Sequence, residues 1–163
     1  IIGIGGSATN DAGVGMASAL GYKFIKKNGD LISLGASEIG LITNILIPDN
    51  LTNFSNHNIL VACDVNNPLC GRNGASYIYG PQKGANDEQV KFLDESLYSF
   101  SKVIQKDLNV DVLNIPGSGA AGGLGAGLMA FTGATLKSGI SIVFDTLKVE
   151  EKIQNRFEQK NLV

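Results

Sequence analysis

The feature that most limits what this chain can fold into is the placement of its glycines. It has 21 of them in 163 residues. They fall in blocks: "IGIGGSATNDAG" at residues 2–13, "GPQKGA" at 80–85 and "GSGAAGGLGAGL" at 117–128. Even spacing would mark low complexity, whereas blocks between apolar runs mark tight turns joining buried elements.

The segments between those turns alternate in character, which predicts an α/β or α+β architecture, a mixed sheet carrying helices. Ile1 to Ile4 read as a strand running into a glycine loop, followed by a helix over about Asp11–Leu20 with Gly21 closing it. In "YKFIKKNGDLI" the Asn28-Gly29 pair lies between two candidate strands and predicts a tight hairpin. Residues 35–58 are a short apolar segment and an Asn-rich polar loop with little chemistry.

"ILVACD" at 59–64 is a β-branched run that delivers Asp64 to a sheet edge. Val90, Leu93, Leu97, Phe100 and Ile104 recur at helical spacing and define one apolar stripe. Asn86 and Gln89 ahead of it form a capping box. A glycine loop then leads into a small-residue helix, and "SGISIVFDTL" reads as a strand handing over to an amphipathic end.

Composition excludes several functions. A net charge of -2 leaves no electrostatic footprint for nucleic acid or an anionic membrane. No run approaches the roughly 20 apolar residues of a membrane span, and the apolar start lacks the basic region of a signal peptide. The expectation is a soluble, cytoplasmic protein of one domain, residues 1–163, with a core supported by 44% hydrophobic residues. Starting in mid-strand without methionine, it reads as a fragment. Cys63 and Cys70 show neither zinc nor disulfide spacing and are expected to be packing residues.

A strand, a glycine turn and a helix start together present unpaired amides, a setting for phosphate or carboxylate. Ser7 and Thr9 add hydroxyls. Asn10 and Asp11 fall where the helix begins, so capping accounts for them, and a carboxylate there can also hold Mg²⁺ or orient a hydroxyl nucleophile. The Gly-x-Gly-x-x-Gly/Ala spacing occurs three times, at Gly3, Gly117 and Gly125, and so carries little weight.

Lys83, flanked by Gly80, Pro81 and Gly84, presents one ammonium group suited to phosphate. Asp64, Asn66 and Asn67 follow a strand end, where α/β sheets place their sites, although an Asx-turn network explains them equally. His57 is the sole histidine and lies in a polar run, so proton transfer falls to carboxylates.

Four blocks, "IGIGGSATNDAGVGMASALG", "VACDVNNPLCGRNGAS", "YGPQKGA" and "PGSGAAGGLGAGLMAF", resemble in this order the central part of bacterial glycerate kinases. Ala12 stands where that family often has glycine, and Ser118 where it has alanine. The resemblance implies the inserted second domain of a two-domain fold, whose flanking domain in the same polypeptide completes a cleft. It implies ATP-dependent phosphorylation of D-glycerate to 2-phosphoglycerate in glyoxylate metabolism, with Mg²⁺ as the metal.

On that footing Asp11, Asp64 and Lys83 are expected to be catalytic, Asp11 as metal ligand or base. Gly5, Gly6, Ser7, Thr9 and Asn10 would bind phosphate or the substrate carboxylate, with Asp64 and Asn67 positioning glycerate. Ser118, Gly119, Gly122 and Gly123 would form a second anion loop.

Two other classes fit parts of the chain. One is a dinucleotide-binding oxidoreductase module, weakened because a hairpin stands where a βαβ unit needs a parallel strand. The other is a non-catalytic fragment, which would expose apolar surface where a partner domain docks and could form a homodimer through it.

Overall fold

The computed structural model describes residues 1–49, 51 and 54–160. Five strands and six helices alternate along the described chain. The strands are β1 (Ile2–Gly3), β2 (Lys23–Lys26), β3 (Ile42–Leu46), β4 (Leu60–Ala62) and β5 (Thr135–Lys137). The helices are α1 (Val14–Ala19), α2 (Ala75–Tyr79), α3 (Asp87–Leu108), α4 (Ala120–Thr132), α5 (Gly139–Leu147) and α6 (Val149–Lys160).

Two small sheets organise them. β4 lies between β1 and β5 with both pairings parallel, Val61 opposite Ile2 and Leu136. The segments after all three strands therefore leave from one edge, where parallel sheets place their ligands. β2 pairs antiparallel with β3, Phe24 opposite Ile45. The expected α/β class is observed, with the parallel and antiparallel pairings divided between two sheets rather than mixed in one.

Helix α3 forms as its sequence predicts. Asn86 accepts the Gln89 amide at 2.9 Å while the Gln89 side chain accepts the Asn86 amide, so both ends of the capping box are made. Asn109 ends the helix in the left-handed conformation. Val90, Leu97, Phe100 and Ile104 are buried, Leu93 half-buried. Each such burial stabilises by about 1.5–3 kcal/mol.

Phe100 meets Phe24 edge-on at 5.7 Å between centroids, and Phe24 in turn meets Phe131 at 5.8 Å, which ties α3, β2 and α4 into one core. The Asp107 carboxylate accepts the Ile45 amide at 2.7 Å and fixes β3 against the same helix.

Two expectations are corrected. "SGISIVFDTL" is not a strand: it forms α5, because Ser138 caps it by accepting the Ser141 amide at 3.3 Å and the Asp64 carboxylate takes the Gly139 amide at 2.8 Å. These two acceptors, one local and one from the loop after β4, outweigh its β-branched composition, and the strand is the preceding Thr135–Lys137. The Asn28-Gly29 turn does form, with Gly29 at φ 90° and its amide on the Lys26 carbonyl at 2.9 Å. Its second arm, however, shrinks to a single bridge between Ile25 and Leu31, and β3 supplies the full partner.

β3 lies in the stretch 35–58, read as a short apolar segment and a polar loop, together with a 3-10 turn over Ala36–Leu41; residues 50, 52 and 53 of that stretch lie outside the described residues. α1 is shorter than expected because Ala12 and Gly13 adopt positive φ and the helix starts only at Val14.

Candidate active site

The opening loop leaves β1 at Ile4 and remains exposed at Gly5, Gly6, Ala8 and Thr9. Gly6 takes φ 67°, a turn that glycine makes without strain. The amides of Gly6, Ser7, Ala8 and Thr9 donate to no protein acceptor among the described residues. A run of free amides can bind an anion where the backbone curls around it.

Lys83 comes to this loop from a 3-10 turn, Pro81–Lys83, that Gly84 closes at φ 92°. Its Nζ donates to Ser7 Oγ at 2.9 Å and to the Thr9 carbonyl. Burial lowers the Lys83 pKa from its ordinary value, and the nearby Asp11 charge partly restores it.

Asp11 spans the entry to α1. Its Oδ1 accepts the Gly13 amide and its Oδ2 the Gly15 amide, each at 3.0 Å. The capping role is therefore made, and each oxygen retains further lone-pair capacity.

Asn10 is buried, 7% exposed. Its Nδ2 donates to the buried Ser76 Oγ at 2.9 Å, while Oδ1 has no partner. Ala8, Thr9, Asn10, Asp11, Gly35 and Lys83 are among the residues that enclose a cavity of about 250 Å³. The structure thus brings together Ser7, Thr9, Asn10, Asp11 and Lys83, which lie in two separate glycine blocks of the sequence.

Asp64 stands at the same sheet edge, exposed beyond β4. One oxygen holds the Gly139 amide at the start of α5. Asn67 is engaged differently: its Oδ1 accepts from Tyr79 Oη at 2.6 Å and its Nδ2 donates to the Asn73 carbonyl at 2.8 Å. Its own carbonyl receives the Gly117 and Gly119 amides. Asn67 closes the loop that follows β4.

The third glycine block lies apart from the open loop. Ser118, Gly119, Gly122 and Gly123 are all buried, and the amides of Ser118, Gly119 and Gly123 donate to the carbonyls of Ile115, Asn67 and Gly119. Ala121, Gly122 and Gly123 are all left-handed, so α4 is kinked there. A Cβ on Gly122 would stand 2.0 Å from the Thr9 carbonyl oxygen, and one on Gly127 2.4 Å from that of Ala12. This block is the pedestal against which residues 9–13 are moulded.

Sequence reasoning passed over Ser76 and Tyr79, which hold Asn10 and Asn67. Both lie on α2, which follows the "CGRNG" turn, and only their three-dimensional partners single them out. His57 is exposed, its ring 6.4 Å from that of Phe54. Cys63 and Cys70 are unpaired thiols. A larger crease of about 870 Å³ between α5 and α6 is lined by Leu147, Val149, Lys152, Ile153, Arg156 and Phe157, and among the described residues none brings a carboxylate or hydroxyl to bear on a ligand. No described helix is long and apolar enough to cross a membrane.

An exposed amide loop, a lysine and a carboxylate at one edge of a parallel sheet are features that suit a small anionic ligand. Comparison with known proteins places the chain more closely. The "Crystal structure of putative glycerate kinase 2 from Salmonella typhimurium LT2" superposes with a TM-score of 0.86 at 48% identity, over 91% of this chain and 40% of that one.

The glycerate 2-kinase of Escherichia coli K12 is 52% identical over 155 residues, 95% of this chain and 41% of that protein. A glycerate kinase of Halalkalibacterium halodurans is 44% identical over the same shares. The glycerate kinase family profile matches residues 1–157, and the chain belongs to that family. It spans about 41% of the length of these curated relatives.

Proposed function

We propose that this chain carries the substrate- and phosphate-binding part of an ATP-dependent glycerate kinase, one that converts D-glycerate to 2-phosphoglycerate. The observation that carries the reading is the meeting of Lys83 with the free-amide loop at Ser7 and Thr9. Family membership supplies the reaction class.

Phosphoryl transfer calls mainly for positioning and charge stabilisation. The loop amides and the Lys83 ammonium would spread the charge of a phosphate or of the substrate carboxylate. A glycerate hydroxyl oxygen forms the new bond to the γ-phosphorus as the bond to the ADP oxygen breaks. The hydroxyl proton passes to a carboxylate, and Asp11, which lines the cavity with Lys83, stands as that base.

Mg²⁺ accompanying nucleotide phosphates needs only one or two protein carboxylates. Asp64 fits it better than Asp11, since one Asp64 oxygen is unengaged among the described residues while both Asp11 oxygens receive amides. When bound, the ion neutralises charge on the transferred group.

Glycerate positioning moves from Asn67, whose side chain is engaged, to the opening loop. The remainder of a full-length family member would complete the cleft. We place this ATP-consuming step of glyoxylate metabolism in the cytoplasm. A dimer would use the exposed apolar face of α5 and α6, where Ile140, Leu147 and Phe157 are 62%, 52% and 66% exposed.

The test is a coupled ADP-release assay with D-glycerate, ATP and Mg²⁺, run on this chain and on a full-length protein containing it. Glycerate-dependent ADP release by the full-length protein supports the reading. No release from a folded full-length protein overturns the substrate.

A further inference from the structure

We infer that Asn10 is the specificity residue of the Lys83 cavity, its unpartnered carboxamide oxygen accepting a hydroxyl of a small hydroxy acid whose carboxylate meets Lys83. This rests on the proposed reading that the site takes an organic acid.

The carboxamide is held at one end only. Ser76 Oγ, fully buried, lies 2.9 Å from Nδ2 and fixes the side chain's orientation. Oδ1 is buried and has no partner. A buried acceptor left unsatisfied is costly and rare in native proteins, so its place on a residue that lines the cavity points to a donor brought by a ligand.

The neighbours define that ligand. Asp11 and the Thr9 carbonyl are acceptors, and among the described residues Lys83 is the one cationic group lining the cavity. A ligand here therefore needs an anionic end and hydroxyl donors. At about 250 Å³ the cavity is below the roughly 300–1,000 Å³ of sites for drug-sized ligands, and it suits a three-carbon acid better than a nucleotide. Lys83, half-buried and already fixed by Ser7 and Thr9, can hold the carboxylate without reorganising.

A site built to pair a substrate hydroxyl rejects the analogue lacking it far more strongly than an apolar pocket rejects a missing methylene. Discrimination between acids is therefore the signature. Isothermal titration of a full-length protein containing this chain with D-glycerate, D-lactate and 3-hydroxypropionate reads it directly, because the two analogues each lack one hydroxyl.

The expected result is that D-glycerate binds at least about 10-fold tighter than one analogue. In Asn10→Ala that ratio falls to about one, while affinity for that analogue changes little. Should Asn10→Ala not fold, Ser76→Ala, which releases the carboxamide without removing it, is expected to lower the ratio about threefold.

Equal weakening of all three acids in either folded variant would make Asn10 purely structural and overturn the inference. So would a wild-type protein that binds none of them or does not discriminate between them. ADP release is not read here, so failure of the kinase reading and failure of this one are separable.

Discussion

Lys83 Nζ lies 2.9 Å from Ser7 Oγ, although 76 residues separate them in the chain. The contact joins two glycine turns whose functions are not evident singly, and it sets the first prediction. Lys83→Met removes the cation but keeps the length and apolar stem of the side chain. In the full-length protein it is expected to lower kcat/KM by roughly 100-fold, the scale of losing one charged stabilising group. Thermal melting of the same variant separates this from a folding defect.

The burial of Lys83 carries a pH signature. Its folded pKa lies below that of free lysine, so raising pH removes the ammonium earlier than in the unfolded chain. Activity should fall on the alkaline side through that lowered value. Stability should move oppositely: between the lowered and the ordinary pKa the unfolded chain binds more protons, and this group's contribution to folding rises with pH. Arginine stays protonated throughout, so a folded Lys83→Arg variant should lack this alkaline limb in its pH–rate profile, whatever its absolute rate.

Asp11 separates capping from chemistry. Asparagine is as good a cap as aspartate, whereas alanine costs about 1 kcal/mol. Here an asparagine oxygen can accept only one of the two amides that Asp11 holds, so Asp11→Asn is expected to melt somewhat below the parent and Asp11→Ala lower still. If the carboxylate accepts the substrate proton, both variants lose turnover by at least about 100-fold, the asparagine variant included. Turnover that follows stability across the pair would leave Asp11 as a cap alone.

What the sequence made legible follows from how local each signal was. Helix α3 was predictable in detail because cap, stripe and terminus all lie within one continuous segment. α5 was not, because half of its capping comes from Asp64 on another element, 75 residues earlier. The opening loop and Lys83 could each be singled out by glycine context, but nothing local showed that they touch. The block at 117–123 looked like a second anion loop because glycines needed for close packing and glycines needed for open amides are the same letters. The distinction lies in what surrounds them, the Thr9 and Ala12 backbone in one case and open space in the other.

Cys70 should be chemically silent. Burial, with the Asp94 carboxylate adding to it, pushes its thiol up to about 12. The thiolate is the reactive form, so at pH 8 very little of Cys70 is available. Iodoacetamide treatment followed by peptide mass spectrometry should leave Cys70 unmodified in the native chain and alkylated in denaturant. Ready native labelling would mean that the wall formed by Cys70, Gly71 and Asp94 opens in solution.

The two uses of glycine can be separated by paired substitutions. Gly122 has φ 69°, and an added Cβ would lie 2.0 Å from the Thr9 oxygen, which is backbone and cannot swing aside. Gly122→Ala combines a left-handed strain of about 1–3 kcal/mol with that overlap, so a loss of at least about 3 kcal/mol is expected in urea unfolding. Gly5 has no heavy atom within 4 Å of its added Cβ and no positive φ. Gly5→Ala should stay within about 0.5 kcal/mol of the parent, as unconstrained surface changes do. Its methyl group would nevertheless stand beside the free amides, so anion affinity should fall while stability holds. A Gly5 variant that unfolds, or a Gly122 variant of native stability, would reverse the assignment of one block to the ligand and the other to the pedestal.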